Sequence, residues 1–176
     1  RIRNFINAEL YGRVTASPLG MLFPNARRVP ADHPEAQRIA EELGITIPEG
    51  AELVNLPRHA SQLYEAFTEG ILVWIVLWFF FRKNRPFKGL NIAIYMIGYG
   101  LTRFVVEYFR EPDPGLGFVI QLGPENNPPW ILLSPWNFTT GQILSFLMIV
   151  AGVLLIFIFQ EMAKRRPKVE TFDTSH

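Results

Sequence analysis

The stretch TTGQILSFLMIVAGVLLIFIF, residues 139–159, carries no charged side chain, and its polar groups Thr139, Thr140, Gln142 and Ser145 all lie near its start. A bilayer core is crossed by about 20 predominantly apolar helical residues. This stretch therefore reads as a transmembrane helix, and it decides the class of the whole chain. Two further spans are expected upstream. Residues 89–109 are apolar except for Asn91, Thr102, Arg103 and Glu107. Residues 61–81 contain a wholly apolar part, Ile71 to Phe81, that is too short to span alone. Their helix must carry Gln62, Glu65 and Glu69 at or below the membrane surface, where polar groups need partners or a water-filled cavity.

The expected fold is all-α, a polytopic integral membrane protein. Its parts are a signature helical segment over 1–15, a small extracytoplasmic head over 16–60, three transmembrane helices within 61–160 and a cytoplasmic tail over 161–176. Hydrophobic residues make up 49% of the 176, and the mean hydropathy of +0.15 is high for a soluble domain of this size. A net charge of +1 says little about partners, but its distribution says more. Arg82, Lys83, Arg85 and Lys88 fill the loop between the first two spans, and Lys164, Arg165, Arg166 and Lys168 follow the third. Loop 110–138 sets Arg110 against Glu111, Asp113 and Glu125. The positive-inside rule places both basic clusters in the cytoplasm, and with them the C-terminus. Loop 110–138 and everything before residue 60 then face outward. Trp74, Trp78, Trp130 and Trp136 read as interfacial anchors. Within the head, Ser17-Pro18, Phe23-Pro24 and Val29-Pro30 break the chain, and His33 to Leu43 reads as an amphipathic helix with Asp32 as N-cap and Gly44 as its stop.

Cysteine is absent, which excludes a disulfide, a thiolate metal site and an enzyme-borne thiol nucleophile. His33, His59 and His176 are scattered, without metal-ligand spacing. The chain begins at Arg1 rather than Met, inside a patterned segment, and is expected to be a piece of a longer protein.

Three blocks carry chemistry. In RIRNFINAELYGR (1–13), Arg1, Asn4, Asn7 and Tyr11 fall on one stripe if the segment is helical. An arginine fork with two carboxamides can hold an anion; the plain alternative is a solvated helix face. In RHASQLYE (58–65), Gln62 and Glu65 share a face, with Glu69 one turn on, and read as a buried polar seam. Ser61 reads as a cap, since no aspartate completes a triad with it and His59. In GYGLTRFVVEYFREPD (98–113), Arg103 and Glu107 lie at i, i+4 inside an apolar helix. Charges in such a place are costly and mark function or mutual pairing. Gly98 and Gly100 permit close helix packing.

Together the three blocks resemble the prolipoprotein diacylglyceryl transferase family. The first is similar to its Arg-x-Gly-Asn-Phe-x-Asn-x-Glu signature, the second to its His-Pro-Ser-Gln-Leu-Tyr-Glu block and the third to its Gly-Tyr-Gly…Arg…Glu segment. This chain departs from the pattern at Arg3, where the family has glycine, and at Ala60, where it has proline. The family's His-Gly-Gly motif, with its catalytic histidine, is absent from these residues.

The resemblance implies a multi-pass enzyme of the bacterial inner membrane with its active site toward the outer face. It implies transfer of the diacylglyceryl group of phosphatidylglycerol to the lipobox cysteine of a preprolipoprotein signal peptide, the first step of lipoprotein maturation. Membrane lipids are the other partners; no nucleic acid and no cofactor are expected. By position, Arg1 and Arg103 would bind phosphate, Asn4 and Asn7 would hold the head group, Glu9 would orient or polarise the site, Gly12 would permit a backbone turn, Glu107 would hold Arg103, and Tyr64 and Glu65 would support them. Two rival readings are an anion- or lipid-binding transporter subunit, against which the lack of an internal repeat weighs, and a helical hairpin whose charges pair only for packing.

Overall fold

The computed structural model describes residues 1–83, 86–112, 117–123 and 128–165. Of the charged and histidine residues named above, Arg85, Asp113, Glu125, Arg166, Lys168 and His176 lie outside the described residues. The elements in chain order are α1 (Ile2–Ile6), β1 (Gly20–Met21), β2 (Val29–Pro30), α2 (Pro34–Glu42), β3 (Leu53–Val54), β4 (Arg58–His59), α3 (Ser61–Phe81), α4 (Leu90–Val106), β5 (Phe118–Gln121), β6 (Asn137–Thr139) and α5 (Thr140–Lys164).

α5 starts where a capping box closes. Thr139 Oγ1 accepts from the amide of Gln142 at 3.3 Å, and Gln142 Oε1 accepts from the amide of Thr139 at 3.0 Å. Its 25 residues extend about 37 Å at the usual helical rise. α3, with 21 residues, extends about 31 Å. Both are long and apolar enough to cross a membrane, and both leave large apolar side chains exposed, among them Phe67, Ile71, Phe79, Leu144, Leu154 and Phe157. α4 is shorter than the expected middle span. Regular helix stops at Val106, and the amides of Tyr108 and Phe109 close tighter turns onto Val105 and Val106. α3 itself is wound more widely over Ala66–Leu72 and Leu77–Phe81, a geometry that recurs at functional sites.

α4 and α5 pack antiparallel through small residues. A Cβ added at Gly100 would lie 2.7 Å from Ile149 Cγ1 and 2.9 Å from the Ser145 carbonyl. One added at Gly152 would lie 2.7 Å from Ile97 Cγ1 and 3.0 Å from the Ala93 carbonyl. Without side chains at these two positions the backbones meet closely. Gly98 has only the Val73 methyls at 3.7 Å, so Gly100 is the glycine that contact requires.

The all-α expectation holds for the long elements only. The rest of the chain is tied by two-stranded antiparallel ladders: β1 with β4, β2 with β3, and β5 with β6. Val29, Ala36, Ile39, Ala40 and Leu56 form a core together with Trp130 and Ile131. The segment before α3 and the loop between α4 and α5 thus share one packed interior. Trp130, expected as an interfacial anchor, is 8% exposed and meets His33 edge-on at 4.9 Å between ring centroids. Trp74 and Trp78 are exposed and stacked, and Trp136 is exposed. α2 is capped by His33 rather than Asp32: Nδ1 of His33 accepts from the Glu35 amide at 3.2 Å, with Pro34 at the first helical position. Gly44, at φ +66°, stops the helix region as expected.

Candidate functional site

The N-terminal helix is short. α1 ends at Ile6 with Asn7 as its C-cap, and the chain reverses through Ala8 and Leu10, both at positive φ (55° and 53°). Non-glycine residues hold that conformation only where the surroundings impose it. Here the start of α3 does so. Gln62 Nε2 donates to the Glu9 carbonyl at 2.7 Å, and Ser61 Oγ donates to the Leu10 carbonyl at 3.2 Å. Ser61, expected as a cap, therefore serves as a docking point. The expected stripe also stops at Asn7. Tyr11 has left the helix; its hydroxyl accepts from the Arg27 amide at 2.7 Å and its ring lies under the Arg58 guanidinium at 4.8 Å.

Gly12 makes no turn; it is a point of close approach. It is wedged between the strand of His59 and the backbone at Phe109 and Arg110, donating its amide to the His59 carbonyl at 2.9 Å and bridging to Arg110. A Cβ there would lie 2.4 Å from the Phe109 carbonyl and 2.6 Å from that of His59. This seam joins the first, second and third sequence blocks through backbone atoms.

Glu65 is the centre of the charged cluster and is 2% exposed. Arg1 Nε lies 2.8 Å from its Oε2, Arg110 Nη1 lies 3.3 Å from its Oε1, and Arg103 Nη1 binds the same oxygen. Glu69 lies 3.5 Å from Arg103 and 4.0 Å from Arg1. Glu107, on the far side, lies 2.9 Å from Arg103 Nη2 and accepts from Thr139 Oγ1 at 3.0 Å. Three arginines and three carboxylates thus interlock across α1, α3 and the end of α4. Buried charges persist only when compensated in this way. Arg103 is held by three carboxylates, whereas Arg1 keeps 34% of its side chain exposed. Arg1 opens onto a shallow groove of about 500 Å³ lined also by Ile2, Arg3, Glu65, Ala66, Glu69 and Gly70. Arg3, the departure from the family pattern, is exposed and lines that groove beside Arg1, within α1.

The structure therefore brings together Arg1, Glu65, Arg103 and Glu107. Tyr64 stands beside them, its hydroxyl 3.3 Å from His59 Nδ1 and its ring against Phe109. The side chains of Asn4, Asn7 and Glu9 make no hydrogen bond among the described residues, and Glu9 and Asn7 are exposed. The contact that Glu9 makes with α3 is through its carbonyl, which accepts from Gln62.

Sequence reasoning read Arg110 only as part of the outer loop; the turns after Val106 are what bring it to Glu65. It passed over Thr139, read only as the start of a span, and over two structural arginines. Arg58, 1% exposed, binds Glu111 and donates to the carbonyls of Gly12 (3.2 Å) and Arg27 (2.6 Å). Arg13 donates to the Arg110 carbonyl at 2.9 Å. Burial lowers its pKa to about 10 against the opposing pull of Glu107 and Glu111, so it stays charged at neutral pH. Burial likewise holds the His59 imidazole below its ordinary range.

A family model described as prolipoprotein diacylglyceryl transferase matches residues 1–158. The chain is 46% identical over 169 residues to the phosphatidylglycerol–prolipoprotein diacylglyceryl transferase of Treponema pallidum, covering 94% of this chain and 50% of that protein. The protein of the same name from Treponema denticola is 43% identical over 96% of this chain and 51% of its own length. That from Chlorobaculum tepidum is 41% identical over 93% and 42%. The chain thus spans about half the length of the curated relatives it matches. No solved structure matches it.

Proposed function

Since the chain belongs to the prolipoprotein diacylglyceryl transferase family, we propose that it supplies the anion-binding part of an active site that moves the diacylglyceryl group of phosphatidylglycerol onto the lipobox cysteine of a preprolipoprotein. The observation that carries this reading is the convergence of Arg1, Arg103 and Arg110 on the buried Glu65, with Arg1 left open to a groove. In the reaction the cysteine sulfur attacks the glyceryl carbon bonded to the phosphate oxygen. The carbon–oxygen bond breaks, the electron pair leaves with glycerol phosphate, and a thioether forms. The thiol proton passes to a base, which the family resemblance assigns to a histidine outside these residues.

The residues present suit the charge that develops. A guanidinium fork matches a phosphate oxygen pair, and preorganised donors in a water-poor site stabilise a leaving anion without reorganising. Glu65, Glu69 and Glu107 hold Arg103 rigid, and Arg103 in turn shares Glu65 with Arg1. Asn4 and Asn7, which follow Arg1 along the same segment, are the candidates for head-group contacts. Glu9 and Gly12 act through the backbone seam. The apolar outer faces of α3 and α5 suit contact with lipid chains.

The same reading places α3, α4 and α5 as three spans of the bacterial inner membrane. The basic residues Arg82, Lys83, Lys88, Lys164 and Arg165 mark the cytoplasmic side. The charged cluster and the packed segment 16–60 then lie on the outer face, in line with the core that this segment shares with Trp130 and Ile131. Transfer of radiolabel from phosphatidylglycerol to a lipobox peptide by the full-length protein tests the assignment. Loss of transfer in Arg1→Ala and Arg103→Ala is expected; wild-type transfer in both would overturn it.

A further inference from the structure

Glu107 is held by more than Arg103. Its Oε1 accepts a hydrogen bond from Thr139 Oγ1 at 3.0 Å, while its Oε2 faces Arg103 Nη2 at 2.9 Å. The two contacts engage the two oxygens separately: Oε1 accepts a hydrogen bond, while Oε2 pairs with Arg103 by charge and proximity and accepts no hydrogen bond among the described residues. The same Oγ1 accepts from the Gln142 amide at 3.3 Å in the capping box, which occupies one of its lone pairs. Its single hydroxyl proton is directed at Glu107. Thr139, Gln142 and Glu107 are all buried. The first turn of α5 is shaped around the same carboxylate: a Cβ at Gly141 would lie 2.7 Å from Glu107 Oε1. The positive end of a 25-residue helix faces that carboxylate as well.

We propose that Thr139 is a positioning residue for diacylglyceryl transfer: its hydroxyl donates to Glu107 and through it sets the direction of the Arg103 guanidinium. This rests on the proposed function. The helix cap and the carboxylate clamp are one hydroxyl, so the start of the third span is coupled to the arginine that the second span presents. Gly141 acts from the other side by leaving the carboxylate room.

The test uses the full-length protein in detergent with phosphatidylglycerol and a lipobox peptide. Thr139→Ser keeps the hydroxyl and is expected to transfer like the wild type. Thr139→Val removes it and is expected to lower kcat/KM about tenfold, the worth of one hydrogen bond to a charged group. Gly141→Ala is expected to lower it comparably. The deciding readout is the double variant. If Thr139 acts through Glu107, Thr139→Val costs little in a Glu107→Ala background, which removes the acceptor; if it only caps α5, the two losses multiply. Multiplying losses, or wild-type kcat/KM in Thr139→Val, would overturn the inference. Arg103→Ala is run alongside. Wild-type transfer there sinks the reading of the site itself, whereas loss there with an indifferent Thr139→Val sinks only the role of Thr139.

Discussion

The carboxylate of Glu65 lies 2.8 Å from Nε of Arg1, so the first residue of the chain and the second turn of the first long helix form one ion pair. The same carboxylate receives Arg103 and Arg110. Replacing Glu65 with alanine leaves three guanidinium groups without their shared counter-ion. Removing one partner of a buried pair costs about 3–5 kcal/mol. Glu65→Ala is expected to lower the melting temperature in detergent and to abolish transfer. Glu65→Gln, which keeps the shape, is expected to fold and still lose most transfer. Unchanged melting and transfer in both variants would show the cluster to be ornamental.

Gly12 tests the backbone seam. Alanine there drives a Cβ onto the Phe109 and His59 carbonyls, which are backbone atoms and cannot swing aside. Overpacking of this kind costs about 1–3 kcal/mol. Gly12→Ala is expected to melt earlier than the wild type and to transfer poorly, since the segment carrying Arg1 is displaced with it. A melting curve superimposable on that of the wild type would contradict the seam.

Arg58 is a different kind of anchor, planar and shared among two carbonyls, Glu111 and the Tyr11 ring. Lysine carries the charge but not the fork. Arg58→Lys is expected to cost about 2 kcal/mol in lost charged hydrogen bonds. The loss should appear as faster proteolysis of segment 16–57, while a cleavage rate equal to the wild type would argue that the fork is dispensable.

His59 predicts a pH dependence. Burial holds its imidazole below the ordinary 6.5. The folded chain therefore keeps His59 neutral where the unfolded chain has begun to bind a proton. The stability tied to the neutral form is complete above pH 6.5 and is lost as pH falls through the folded value. Melting temperatures from pH 7.5 down to about 5 should fall more steeply for the wild type than for His59→Gln. Parallel curves would remove His59 from the account.

Composition and hydrophobic run length alone determined that this chain has helices long and apolar enough to cross a membrane. They also determined that its charged residues Glu65, Glu69, Arg103 and Glu107 needed partners, because isolated charges in apolar helices are too costly to stand. That reading required only periodicity and the cost of desolvation. The motif order was legible for the same reason, since each block is local. The partners themselves were not legible. Arg103 and Glu107 pair within one helix, as their spacing allows, but Glu65 meets Arg1 and Arg110 through chain reversals at Ala8 and Leu10 that no residue type at those positions announces. The stripe Arg1–Asn4–Asn7–Tyr11 was drawn on a helix that ends at Ile6, because hydrogen bonds from Ser61 and Gln62 outweigh local helix propensity. Trp130 looked like an interfacial anchor, and its burial with Val29 and Ile39 depends on a contact between segments on either side of two helices. The turn expected at Gly12 came from the family resemblance alone, whereas its missing side chain matters where three backbones meet. Local sequence states what a residue costs to bury; only the tertiary structure, through contacts between distant segments, decides which partner offsets that cost.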